Sequence, residues 1–444
     1  MDNNSHSHRY QIIFQGGEII YEPLKSQIIV NGKKQALFLL PKKKLSLFSG
    51  RLGIRDAHIS DFNPICLTIY ASHHCNLDCT YCYIPKKETY PNEFIDLSVV
   101  ESGAKIVANN CVKQKIPFTV GFHGGNEPLL HPEKLEKYLA ICNSVAIDND
   151  LKFLPFCTTN GVISEDTAYW AAKKFYGISL SWDGPAEIHD AFRKDISNNK
   201  TSQHVERTAR IFAEHKKNSD IFIIRCTVTS LSVDKMEEIA RYFHGIGAKI
   251  VVFYPVFRNR DHPFSDKLIP EPQTFVYNFH KARKYGLANG LKVIFSGSRL
   301  KDFHNRFCSI LQDNLTITPD GFLTNCFHHT QNYDNQDNLF LYGKFNTETN
   351  QLEYDSKKMK EIIKIYNSEL NECTHCFNQF HCSHGCPDIC SMTDHYSNIQ
   401  QPDCIKEKWL GLAAILEKAG YIKEFKTKSE FIDFFQNITC HELK

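Results

Sequence analysis

"ICLTIYA" at residues 65–71 and "HHCNLDCTYCY" at residues 73–83 stand almost back to back, an apolar run followed at once by three cysteines within eight positions. The first stretch carries the β-branched and aromatic residues that suit a strand. The second has no apolar periodicity and reads as a loop. Its cysteines, Cys75, Cys79 and Cys82, form C-x3-C-x2-C. Two gaps of this length could serve zinc, but structural zinc sites usually draw four ligands from paired knuckles, and no fourth partner stands nearby. Three thiolates on one loop also suit a four-iron cluster with one iron left unligated by protein.

Outward from this stretch the same rhythm repeats. Short apolar runs follow at 117–123 ("PFTVGFH"), 151–158 ("LKFLPFCT"), 177–182 ("GISLSW"), 221–228 ("IFIIRCTV") and 249–256 ("KIVVFYPV"). Amphipathic segments near 95–113, 132–146, 164–174, 200–216, 233–245 and 272–289 lie between and after them. Alternation of this kind predicts βα units on a parallel sheet. Six strands are too few for a complete eight-unit barrel. Each chemical motif follows a strand: the cysteines the first, "GGNEP" (124–128) the second, "TNG" (159–161) the third, "DGP" (183–185) the fourth. In barrels of βα units the functional loops lie at the carboxyl ends of the strands, so these four converge on one face.

Residues 1–64 alternate as strands broken by glycine and read as a small β-rich segment. Residues 65–300 form the βα core. Residues 301–444 lose the periodicity, gain cysteines and close on a helical tail, which predicts a metal-dependent fold. The net charge of +2, with 42% apolar and 23% charged residues, advertises no nucleic-acid partner. No run approaches the ~20 apolar residues of a membrane span, and "MDNNSHSHRY" has no signal core, so the expectation is a cytoplasmic protein. In that compartment the 17 cysteines do not make a disulfide framework, and metal ligation is the natural alternative. Eight of them fall between Cys308 and Cys404, and six, Cys66, Cys111, Cys142, Cys157, Cys226 and Cys440, are scattered singly and read as inert packing.

C-x3-C-x-aromatic-C, with Tyr81 as the aromatic, resembles the signature of the radical S-adenosylmethionine (SAM) superfamily, and the likeness extends to about residue 256. It implies a partial (β/α)6 TIM-like barrel, a [4Fe-4S] cluster on Cys75, Cys79 and Cys82, and SAM chelated by the unique iron. "GGNEP" resembles the family's GGEP with asparagine at the third position, which implies that Gly124, Gly125 and Glu127 hold the methionine amino group of SAM. "TTNG" and "SWDGPAEIHDAFR" (181–193) resemble phrases of peptide- and protein-modifying members. They imply that Ser181 and Arg193 contact the SAM carboxylate, and that Asn160 and Val252 line the ribose and adenine. The plain alternative for Arg193 is a surface ion pair with Asp190 or Asp195, and for Val252 it is core.

The later cysteines read C-x12-G-x4-C (Cys308, Gly321, Cys326), then C-x2-C-x5-C-x3-C (Cys373, Cys376, Cys382, Cys386), then Cys404. This resembles the SPASM domain, which implies two auxiliary [4Fe-4S] clusters. Cys373, Cys376, Cys382 and Cys404 would close one, and Cys308, Cys326 and Cys386 would give three ligands to the other. Cys390, a nearby histidine, water or a substrate thiol would complete the second. The implied activity is a maturase that cleaves SAM to a 5′-deoxyadenosyl radical and oxidatively modifies, by cross-linking, a ribosomally made precursor peptide. An external one-electron reductant of flavodoxin or ferredoxin type would serve it. The alternatives are an anaerobic sulfatase-maturase-like protein oxidase and a non-catalytic iron–sulfur protein. Sulfatase maturases carry an aspartate, taken as the base, directly after the cysteine matching Cys326, and here Phe327 stands there. His328, His329, His375, His381 and His384 are available as acids or bases, most of them expected to be exposed or structural.

Overall fold

A computed structural model describes residues 8–37, 62–84, 93–216, 221–257, 263–300, 313–330, 338–370, 373, 375–384, 402–421 and 423–443. Cys308, Cys386 and Cys390 lie outside the described residues.

The strands are β1 (Arg9–Phe14), β2 (Gly17–Glu22), β3 (Gln27–Val30), β4 (Lys33–Ala36), β5 (Cys66–Ile69), β6 (Phe118–Phe122), β7 (Phe153–Thr159), β8 (Gly177–Ser181), β9 (Ile221–Val228), β10 (Ile250–Pro255), β11 (Lys292–Ile294), β12 (Asn314–Ile317), β13 (Phe322–Thr324), β14 (Leu341–Asn346), β15 (Gln351–Tyr354) and β16 (Thr439–Leu443). The helices are α1 (Leu97–Gln114), α2 (Pro132–Asp148), α3 (Glu165–Lys174), α4 (Ala186–Phe192), α5 (Ser202–His215), α6 (Met236–Ile246), α7 (Pro272–Asn289), α8 (Ser356–Leu370), α9 (Pro402–Lys418) and α10 (Lys428–Gln436). Their ends follow local chemistry. Asp96 and Ser164 accept the Ser98 and Thr167 amides as N-caps of α1 and α3, while Gly247 and Gly290 end α6 and α7 in left-handed conformations.

All six strands expected from the sequence pair in parallel, in chain order from β5 to β10. Two more join in parallel at the ends: β11 beside β10, and β12 beside β5. The sheet stays open, since β12 continues into antiparallel β13, β14 and β15 instead of meeting β11. This is the partial TIM-like barrel, with the post-300 chain stitched directly onto its first strand. Thr68 Oγ1 on β5 donates to Asn314 Oδ1 at 2.8 Å, tying β5 to β12.

Strand alternation separates two faces. On β9, Phe222, Ile224, Cys226 and Val228 are buried, while Ile223, Arg225 and Thr227 on the other face are only partly covered. Trp182, just past β8, is buried and packs its indole on Phe243 and Tyr242 of α6, at 5.0 and 5.4 Å between centroids. Its neighbours Ser181 and Asp183 therefore face the lumen.

The N-terminal strands make a second sheet, antiparallel throughout, in the order β16-β1-β2-β3-β4. Its fifth strand comes from the far end of the chain, pairing Cys440 with Ile12. This sheet rests on the later cysteine region: Gln379 donates to the Tyr10 hydroxyl at 2.9 Å, and Tyr21 meets Phe377 and His381. Among the described residues no helix is long and apolar enough to cross a membrane.

Candidate functional site

The loop after β5 is sewn to two others. Asp78 and Thr80 amides donate to the carbonyls of Lys194 and Phe192, and Asn76 donates through its side chain to Val162 O at 2.8 Å. These bonds fix Cys75, Cys79 and Cys82 between the loops that follow β7 and β8. Asn160 Nδ2 lies 3.8 Å from Cys75 Sγ, and Arg193 Nη1 lies 4.0 Å from Cys79 Sγ. Burial pushes the Cys75 thiol up to about 11 and the Cys79 thiol to about 12, with Arg193 opposing it at Cys79. Cys82 is raised by burial as well. Loading metal here therefore displaces protons. Among the described residues no three Cys, His, Asp or Glu side chains converge as a single-ion site. Asn160 and Arg193 set donors beside the sulfurs of Cys75 and Cys79, the surroundings that an anionic group on those thiolates would need.

The glycine pair after β6 is a matter of close approach. A Cβ at Gly124 would lie 2.6 Å from the Tyr70 ring, and one at Gly125 would lie 2.6 Å from Ile84. Glycine lets this turn lie flat against the cysteine loop. Glu127 is buried, and its carboxylate joins strand ends: it accepts from Leu129 N at 3.1 Å, from Thr159 Oγ1 at 2.7 Å and from the Asn160 amide. Burial raises its pKa to about 7. Asn160 in turn donates to Asn76 Oδ1 at 2.8 Å and accepts from Val162 N at 2.8 Å. Gly161 has φ +78°, and a Cβ there would meet Leu180 at 2.5 Å.

The loop after β8 holds a buried ionic knot that the sequence does not announce. Asp183 accepts from Arg193 Nε at 3.0 Å, from Thr227 N at 2.9 Å and from the Tyr81 hydroxyl. Arg193 also donates to Thr227 Oγ1 at 3.3 Å and lies over the Tyr81 ring at 5.3 Å. The nearer acids serve elsewhere. Asp190 binds the amides of Thr201 and Ser202 at the start of α5, and Asp195 closes a turn with Asn199. Ser181 and Val252 flank Arg225 in one registered row across β8, β9 and β10.

Farther along, Cys326 sits after β13, and the next residue, Phe327, points back into the barrel mouth. Its ring is 4.8 Å from His123 and 6.3 Å from Tyr70. Cys376 donates its amide to Cys373 O at 2.9 Å, and His384 N donates to Cys382 Sγ at 3.3 Å. Burial raises Cys382 and Cys376, and the charges of Cys376 and Cys373 add to the rise at Cys382. Cys404 is exposed near the start of α9. Cys440 is also close to Cys376, which raises its pKa after burial does. No spacing signal tied it to this group, because the pairing of β16 with β1 brings it there. Of the histidines, His381 is fully buried, burial pulls His384 down to about 4, His329 stacks on Phe340, and exposed His375 meets Glu442.

The profile of the radical SAM superfamily matches residues 69–243, which span the cysteine loop and the strand ends around it. A cysteine-type anaerobic sulfatase-maturating enzyme of Clostridium perfringens is 26% identical over 345 residues, covering 73% of this chain and 89% of that protein. In fold, the chain resembles native anSMEcpe with bound AdoMet and Cp18Cys peptide, with a TM-score of 0.60 and 23% identity over 84% of this chain and 99% of that one. It also resembles Streptococcus suis SuiB bound to precursor peptide SuiA, with a TM-score of 0.50 and 14% identity over 84% and 94%. Residues 69–243 are thus a radical SAM domain.

Proposed function

We propose that this chain is a maturase that binds SAM over a [4Fe-4S] cluster on Cys75, Cys79 and Cys82 and oxidatively modifies a peptide. The carrying observation is the cysteine loop itself, fastened between the loops after β7 and β8 with Asn160 and Arg193 aimed at its sulfurs. When bound and reduced, the cluster and SAM supply a 5′-deoxyadenosyl radical able to take hydrogen from an unactivated carbon. The chain's residues position the reactants. Gly124 and Gly125 bring backbone close to the loop, and Glu127 fixes Asn160. Ser181 and Val252 line the lumen wall beneath the mouth, and Tyr81 with Arg193 closes the side next to Cys79.

Cys373, Cys376, Cys382 and Cys404 on one side, and Cys326 with Cys308 and Cys386 on the other, would hold two auxiliary clusters that receive the electron released when a substrate radical is oxidised. A flavodoxin- or ferredoxin-type donor would reduce the first cluster. A cross-linking peptide maturase is favoured over a sulfatase-maturase-like oxidase by Phe327. The side chain following Cys326 reaches the barrel mouth, and it is an aromatic ring against His123 rather than a carboxylate. The second reading draws its support from the Clostridium relative, whose length is matched almost throughout.

Iron and sulfide counts on anaerobically reconstituted protein test the cofactor assignment. Three clusters predict about twelve irons, falling to about eight in a Cys75/Cys79/Cys82 triple-alanine variant. A count near four that vanishes in the variant would remove the auxiliary clusters and, with them, the electron acceptor. Co-expression with a neighbouring short precursor peptide then separates the readings, since a cross-link removes two hydrogens and joins two residues in the fragment spectrum, whereas oxidation of a serine to an aldehyde removes two hydrogens at one residue.

A further inference from the structure

Arg225 stands on the lumen face of β9, between Ser181 of β8 and Val252 of β10. Its guanidinium rests over the Tyr254 ring, 4.7 Å from the centroid. It also acts on His123, which follows β6. Burial, reinforced by the Arg225 charge, pulls that imidazole down to about 3, so His123 stays neutral beside it. In the sheet β6 and β9 are separated by β7 and β8, and the alternation of β9 puts Arg225 on the same lumen side as Thr227 and Ile223.

Among the described residues no carboxylate pairs with Arg225. Asp183, the acid at the mouth, already holds Arg193. Ser179, one lumen row deeper on β8, has a buried hydroxyl without a hydrogen-bond partner among the described residues. A partly covered cation without a counter-charge is poorly compensated, and an aromatic face offsets only part of that. An anion arriving in the lumen completes the arrangement. Arg193 already carries Asp183 as its counter-charge, whereas no acid among the described residues neutralises Arg225.

We propose that Arg225 is the carboxylate-receiving residue of the barrel lumen, taking the carboxylate of a molecule that lies along the Ser181–Arg225–Val252 row. Two molecules of the proposed function bring that group: SAM through its methionine half, and a peptide substrate through an acidic side chain. Both sources rest on the function proposed above.

The test uses the anaerobically reconstituted full chain as wild type, Arg225→Gln and Arg225→Lys. Equilibrium dialysis compares SAM with decarboxylated SAM. Fluorescence anisotropy, in the presence of SAM, compares a labelled glutamate-rich hexapeptide with its glutamine twin. SAM binding by the wild type checks the proposed function separately from the variants. Arg225→Gln is expected to weaken one carboxylate-bearing probe by about 10- to 100-fold, the size of a charge-assisted hydrogen bond, and to leave its neutral twin unchanged, with Arg225→Lys in between. Loss confined to SAM assigns the residue to SAM, and loss confined to the glutamate peptide assigns it to the substrate. Unchanged binding of both acidic probes overturns the proposal, and so does equal loss of each probe and its neutral twin.

Discussion

Replacing Asp183 by asparagine is the sharpest test of how the site is held. The Asp183 and Arg193 side chains are 1% and 10% exposed, and the carboxylate takes three donors at once. The Asp183→Asn change keeps the shape but leaves the guanidinium buried and unpaired, which typically costs about 3–5 kcal/mol. Unfolding entropy is roughly 2.1 cal/mol/K per residue, so for 444 residues it is about 0.9 kcal/mol/K. If the chain unfolds as one unit, Tm falls by about 3–5 °C. Fluorescence of the buried Trp182, next to Asp183, reports on this region, and cofactor-free protein suffices. A cycle with Arg193→Gln isolates the pair, because the double variant removes both the charge and its need for a partner. The expected coupling is at least about 2 kcal/mol. Additivity within about 0.5 kcal/mol would mean that the two groups do not depend on each other, and the knot would then have no role in fixing Tyr81 and the cysteine loop.

Other consequences follow from single positions. Gly161→Ala, with φ +78° and Leu180 2.5 Å from the new Cβ, is expected to lose about 1–3 kcal/mol in denaturant unfolding, and an unchanged midpoint would contradict that geometry. Glu127 has a folded pKa of about 7 against an ordinary 4.5, because burial opposes its charge. Its stabilising contribution is complete below pH 4.5 and is lost as pH rises through about 7. Relative to Glu127→Gln, the wild type should therefore lose on the order of 3 kcal/mol between about pH 4.5 and 8, and a gain over that range would reverse the sign of the argument. Removing residues 438–444 deletes β16 and exposes the edge of β1, so limited proteolysis is expected to cut within residues 9–14 sooner than in the full chain, and an unchanged pattern would count against the closure of that sheet.

The barrel was legible because its signals are local. Each of β5 to β10 is a β-branched run bounded by glycine, proline or polar residues, and each motif follows one of them in sequence. The short helix α4 was not, since its seven residues give little periodicity to read. The partner of Arg193 was missed for a different reason. Asp190 and Asp195 are nearer in sequence, but the backbone amides at Thr201, Ser202 and Asn199 claim them, while Asp183 shares the buried lumen side with Arg193. Proximity along the chain does not measure competition for donors.

The longest-range joins left no trace in spacing at all, and they decide how the two cysteine groups relate. β12 pairs with β5 across nearly 250 residues, and that pairing carries the β12–β13 hairpin to the strand that launches the first cysteine loop. Cys326 follows the hairpin, so Phe327 meets Tyr70 and His123 at the mouth. At the other end β16 pairs with β1, and the sheet so closed rests Tyr10 and Tyr21 on the 377–381 segment, between Cys376 and Cys382. One join sets Cys326 beside the lumen, and the other braces Cys376 and Cys382 from outside. If the cysteines hold the auxiliary clusters proposed above, these joins put the group that includes Cys326 next to the mouth. Sequence spacing alone treats the two groups as one block, whereas the two pairings attach them to different parts of the fold.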